Sequence, residues 1–358
     1  MPDSVSLPFC VPVFSFTPGH AAPGFAMHGH PTAYNAYLNQ CTTIGCTRKF
    51  LGGLTTPQIW LPRGGITSFS CIEHYEVSSR FGYPHYTDMI KIMLDQGFYV
   101  FFTGIDDFYM PGKCWYGIRH MPHTGIICGY DNNDKTYSIA AYDINWLFNL
   151  IRIPQDCLIE GLNYCIENKQ YGTLTAFKMK EKVVVHLDEK MILRNLKGYT
   201  DQTADKYSLD QDGVVEGIAV HDFLIMYLDK LKDGSIPAEK VDWRTLRPVW
   251  EHKKCMLDRI KAIEEKRGWD IELSSKYAPL VDDANRARMM LAMFHKNQKA
   301  TLLDKMKNIL LDLRERESEI LKELIKRMEE EGTCDFGIIS NQECWSIPIS
   351  SFARGKHL

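Results

Sequence analysis

The sequence predicts an α/β chain of the α+β kind, with a mixed domain over residues 1–190 and a mainly helical region over 191–358. Three observations carry that prediction. Short runs rich in aromatic and β-branched residues, such as Phe98-Tyr99-Val100-Phe101-Phe102-Thr103, fall in the first half. Turn-forming clusters, chiefly Asp131-Asn132-Asn133-Asp134, separate them. Beyond residue 190 the apolar residues recur at three- and four-residue steps, the spacing of a buried helical stripe.

Taken in order, the first thirty residues are rich in Pro, Gly and His and read as an irregular entry segment. Pro31 at a first turn, then Ala33, Ala36, Tyr37 and Leu38, predict a helix that stops at Gly52-Gly53. Residues 54–68 read as loop and short strand, and 71–81 and 86–96 as two helices, the second closed by Gly97. Strands follow at 98–103, 123–130, 137–142, 172–178 and 182–187. The later helices are the run ending YLDKL at Leu231, then 250–266, 284–299 and 301–331. In the final segment, Phe336, Ile338, Ile339, Trp345 and Ile347 are spaced to pack back on the protein.

A net charge of −3, without a basic run, argues against a nucleic-acid partner. No apolar stretch reaches the length of a membrane span, and residues 1–18 lack the basic start of a signal peptide. A cytoplasmic location is therefore expected. Eleven cysteines, an odd number with no CxxC spacing, read as reduced thiols, neither a disulfide framework nor a zinc site. His28 and His30 have no evident third ligand, so no metal is assigned.

The chemistry lies in residues 123–143. His123 stands ten residues before Asn133 and Asp143 ten after it. Across a hairpin centred on Asn133 they would be direct partners, with Cβ atoms roughly 4.5–5.5 Å apart. A carboxylate at that range fixes the imidazole tautomer and raises its basicity. Asp107, beside Asp106, is the candidate for orienting an amine. Tyr109 and Trp115, with Tyr116, are candidates for an acyl-pocket wall.

His123 followed by Gly129-Tyr130 resembles the histidine strand of papain-like cysteine proteases. The wider pattern resembles the butirosin-biosynthesis acyltransferase family, which joins a papain-like or bacteriocin-peptidase-like domain to a helical part. The residues concerned are Gly97-Phe98-Tyr99-Val100, Asp107-Phe108-Tyr109-Met110-Pro111, Arg119-His120-Met121-Pro122-His123, Gly129-Tyr130-Asp131 and Tyr142-Asp143. The resemblance implies transfer of an acyl group from an acyl or peptidyl carrier-protein thioester to a small amine. It is similar in this to the protease-like amide synthetases of nonribosomal assembly, including the closthioamide type. The acyl group would ride on the carrier's phosphopantetheine, and no cofactor of the enzyme itself is implied.

That chemistry calls for a cysteine at the N-terminus of the first helix, where the dipole lowers the thiol pKa. The family signature there resembles His-Cys-x-x-x-Ala. Here His28 and Ala33 fall in place, Gly29 occupies the thiol position, and Ala26 is the other candidate under a shifted alignment. Cys41 lies roughly 18 Å along the helix at 1.5 Å per residue. Three explanations stand side by side: a removed nucleophile, an amine attacking the thioester directly with His123 as base, or a non-catalytic binding homologue. A cysteine hydrolase on the same fold, peptidase or thioesterase, is the alternative enzyme.

Overall fold

The computed structural model describes residues 2–53, 55–78, 86–207, 209 and 213–332. The packing expected of Phe336 to Ile347 lies outside the described residues. The chain is a mixed α/β protein, and among the described residues the strand pairs are all antiparallel.

The entry segment departs from the irregular expectation. After β1 (Ser4–Ser6) it forms a helix, α1 (Pro18–Met27). The Thr17 side chain caps it and Pro18 occupies a first-turn position, where its missing N–H costs nothing. The helix expected from Pro31 is shorter than read: α2 (Tyr34–Gln40) ends before Thr42-Thr43. The chain then enters β2 (Gly45–Thr47) and β3 (Ile59–Trp60).

Residues 72–78, expected helical, are strand β4 (Ile72–Ser78). It is an edge strand whose middle residues are exposed and polar, which removes the alternation that marks a strand in sequence. Helix α3 (Tyr86–Asp95) follows as expected, then β5 (Tyr99–Asp106), β6 (Pro122–Asp131), β7 (Thr136–Tyr142) and β8 (Phe148–Pro154). Helix α4 (Gln155–Glu167) leads to β9 (Thr173–Met179). The large sheet runs β4-β9-β5-β6-β7-β8, with β1 added to the far end of β6. Gly129 is required there, because a Cβ would stand 2.3 Å from the Val5 carbonyl oxygen.

The central strands β5, β6 and β7 are covered on both faces and are largely buried. On one face α1 packs Ala21, Ala22 and Phe25 with Tyr99, Ile126 and Ala140. On the other, α3 and α4 pack against Val100, Phe102, Ile105 and Ile127. Residues 182–187 form no ladder. They run beside α2, where Thr32 Oγ1 accepts the Val185 amide and Asn35 and Asn39 donate to the Val185 and His186 carbonyls.

The second half is helical as expected: α5 (Glu189–Thr200), then, after β10 (Val214–Glu216), α6 (Val220–Lys232), α7 (Arg247–Arg267), α8 (Glu272–Asn297) and α9 (Thr301–Glu330). The halves interlock, since β10 pairs with β2 in a small sheet, β10-β2-β3. A charged cluster is sealed in the helical core: Lys253 Nζ donates to both Glu317 oxygens at 2.6 and 2.7 Å, and Tyr199 and Tyr277 donate to the same carboxylate. Among the described residues no helix is long and apolar enough to cross a membrane.

Candidate active site

Two buried acids, Asp106 at the end of β5 and Asp107 just after it, send their side chains to different partners. Asp106 Oδ1 accepts the amides of Phe108 at 3.0 Å and Met121 at 2.7 Å, and its Oδ2 meets His120 Nδ1 at 2.6 Å. Asp107 begins a short 3-10 turn, and its Oδ2 meets His123 Nδ1 at 2.6 Å. The loop between them, residues 107–121, is closed by the Asp107 amide on the Met121 carbonyl at 3.0 Å and the Gly117 amide on the Phe108 carbonyl at 2.9 Å.

This geometry follows from a bulge. β5 and β6 pair Thr103 with Thr124, then skip Gly104 to pair Ile105 with His123. The skip puts Ile105 opposite His123, and two residues on, on the same face, Asp107 reaches the His123 ring. The Asp107 side chain is 1% exposed, with Lys113 Nζ 3.5 Å from Oδ1 on its other side, while His123 is 37% exposed. A carboxylate accepts only, so Nδ1 carries the imidazole proton and the Nε2 lone pair is left open. Nε2 of His123 has no partner among the described residues.

Asp143 does not serve His123. The β6–β7 ladder ends with Ile126 opposite Ala140, a register that would extend to His123 opposite Asp143. The Asp143 carboxylate instead accepts the amides of Asn145 at 2.8 Å and Leu147 at 3.0 Å, holding the turn between β7 and β8. Backbone amides two and four residues on are nearer partners than a ring across two unpaired strand ends. Asp107, expected to orient an amine, is the imidazole's partner and is too buried to meet one.

Tyr109 lies in an aromatic cluster, its ring centroid 5.1 Å from Phe108 and 6.0 Å from both His120 and Tyr164. The Arg119 guanidinium lies 5.7 Å from the Trp115 ring, on the same loop. Ala26 and Gly29 are not at a helix N-terminus facing His123. Ala26 is buried in the last turn of α1, and Gly29 sits at φ +80° between α1 and α2. Phe25 packs edge-on against Tyr99, level with Cys128 and five residues along β6 from His123, or about 17 Å at strand rise. The faces differ as well. A Cβ on Gly125 would meet Phe102 and Ile139, on the side away from α1, and His123 alternates in step with Gly125.

No described cysteine takes the nucleophile's place. All nine described thiols are raised by burial, Cys10 to about 11 and Cys128 and Cys165 to about 12. A thiol so raised is not a ready thiolate. Sequence reading missed the second pair, Asp106 with His120, although the signal was present. Two consecutive acids close a strand, and two histidines three apart end the Pro-Gly loop that follows.

No protein-family model and no curated protein matches the chain.

Proposed function

We propose that the chain is an acyl-transfer enzyme in which His123, oriented by Asp107, takes a proton from an amine as that amine attacks a bound acyl thioester. The observation that carries this reading is the 2.6 Å contact between His123 Nδ1 and a sealed carboxylate, on a ring whose other nitrogen is open. The carboxylate holds the tautomer and stabilises the imidazolium formed on proton transfer. Direct attack is favoured over an acyl-enzyme by the raised thiols and by the distance of residues 26–29 from His123. The amine proton passes to Nε2, the C–N bond forms, the C–S bond breaks, and the imidazolium returns its proton to the departing sulfur, so that an amide and a thiol leave and the neutral ring is restored.

The donor in this reading is a thioester on a carrier protein's phosphopantetheine, and the acceptor a small amine. We read the helix lying along the antiparallel sheet as a papain-like arrangement. A cytoplasmic setting accords with nine unpaired thiols. A second reading, hydrolysis, is favoured by the exposure of His123, which lets water reach the base in place of the amine.

The test uses the full chain, the acetyl thioester of N-acetylcysteamine and excess ethylamine, with products followed by mass spectrometry. N-ethylacetamide should form, and His123→Ala should slow it by about 10²–10⁴-fold, the usual contribution of a general base. Acetate formed without amide selects the hydrolase. A rate unchanged by His123→Ala overturns both.

A further inference from the structure

Asp106 and Asp107 are both sealed from water, each against a partly exposed histidine, and they are supported differently. Asp106 relies on dipoles: its Oδ1 accepts the Phe108 and Met121 amides at 3.0 and 2.7 Å while Oδ2 holds His120. Asp107 holds His123 through Oδ2, and its Oδ1 accepts no hydrogen bond among the described residues. What stands there is a full charge, the Lys113 ammonium, 3.5 Å away on a side chain only 3% exposed. That separation is too long for a hydrogen bond and acts through charge. A lysine closed to water is rare unless paired. The other buried lysine among the described residues, Lys253, has the Glu317 carboxylate at 2.6 Å.

The backbone fixes Lys113 in place. Gly112 turns the chain at φ +85°, and its carbonyl accepts the Ile144 amide at 2.8 Å, which fastens the loop to the turn between β7 and β8. The Lys113 amide donates to the Met110 carbonyl and its own carbonyl accepts the Tyr116 amide, both at 3.2 Å. Asp107 therefore stands between a sealed cation and an imidazole whose Nε2 is open. Alone, the carboxylate would favour a second proton on the His123 ring and take the base out of use. A cation on its other oxygen offsets that pull. Cys114 and, facing it, Arg244 are the other ionisable groups on this side, with the Asp106–His120 pair next along the chain. Burial pushes the Cys114 thiol up, so it stays neutral, and Arg244 is held by Asp242 through two 2.8 Å bonds.

We propose that Lys113 is a positioning residue of this site, its sealed ammonium balancing the Asp107 carboxylate so that His123 keeps Nε2 free to accept a proton. In the acyl-transfer reading, on which the use of this arrangement rests, the same charge readies the imidazolium to return its proton to sulfur.

The test reads His123 directly. The full chain is labelled with histidine carrying 13C at Cε1, and the His123 signal is the one missing from His123→Ala. Its pH titration is followed by NMR in the parent, Lys113→Arg, Lys113→Gln and Lys113→Met. Lys113→Gln keeps a polar side chain beside the carboxylate and removes only the charge, so a result shared with Lys113→Met is not a packing effect. The midpoint should rise by at least about one pH unit in Lys113→Gln and Lys113→Met, a tenfold change in proton affinity, and stay at the parent value in Lys113→Arg. The acid limb of amide formation from the acetyl thioester of N-acetylcysteamine and ethylamine should rise with it. A midpoint unmoved in Lys113→Gln and Lys113→Met, or moved as far in Lys113→Arg, overturns the role of Lys113. No amide from the unaltered chain overturns the acyl-transfer reading, whereas the His123 midpoint decides the role of Lys113 separately.

Discussion

Asp107, sixteen residues before His123 in the chain, holds the His123 ring through a 2.6 Å contact with Nδ1, and Asp143, its register partner on paper, does not. The relationship is made by the bulge at Gly104, which sets β5 back by one residue against β6, so that Asp107 and not Asp106 stands two places beyond the residue opposite His123 and on the same face. The His123 ring therefore takes its carboxylate from the turn that follows β5, not from the end of β7.

Restoring a thiol at the sequence-expected position should not restore a covalent route. Gly29→Cys has open space but a left-handed backbone, a cost of about 1–2 kcal/mol, and Ala26→Cys places sulfur in the α1 core. Incubation of either variant with the acetyl thioester of N-acetylcysteamine, followed by intact mass, should show no acetyl adduct at the new thiol. A stoichiometric adduct that turns over with ethylamine would argue for an acyl-enzyme.

Acid should loosen the fold through neutral buried histidines. His20 and His221 are lowered to about 4 and His252 to about 3, from 6.5, in each case chiefly by burial. The unfolded chain binds these protons at higher pH than the folded one, so their stabilisation is full above about pH 6.5. It is lost as pH falls from there through about 4 and 3. Urea melts of the whole chain should give a midpoint that drops steadily between pH 7 and pH 4. A midpoint constant over that range contradicts the neutral assignment.

The sealed ion pair in the helical half should be costly to break from one side. Glu317→Gln leaves the Lys253 ammonium without a counter-charge in a site fully closed to water, a loss of about 3–5 kcal/mol. Replacing both by apolar residues, Lys253→Met with Glu317→Leu, should recover most of it. Denaturant unfolding measures both. A single variant within about 1 kcal/mol of the parent would show that the cluster is not carried as ions.

Much of the sheet was legible because β5 carries an unbroken aromatic and β-branched run and the largely buried β6 and β7 flank the turn at Asp131–Asp134. β4 was not, since exposure of the consecutive His74, Tyr75 and Glu76 hides the two-residue period, and its pairing with β9 is decided a hundred residues away. α1 was missed because its prolines read as breakers, although Pro18 at a first turn is a helix start. His123 was legible from its hairpin. Its partner was not, because a one-residue bulge at Gly104 is invisible in spacing and decides which of two acids arrives.

The most direct measurement of the central claim compares amide formation in Asp107→Asn and Asp143→Asn, using the thioester of N-acetylcysteamine with ethylamine. If Asp107 orients the base, Asp107→Asn lowers kcat by about 10²–10⁴-fold, in line with the loss of a correctly held general base. Asp143→Asn, which alters only a turn, keeps the rate within a few-fold of the parent. A large loss in Asp143→Asn with Asp107→Asn unimpaired would contradict the account.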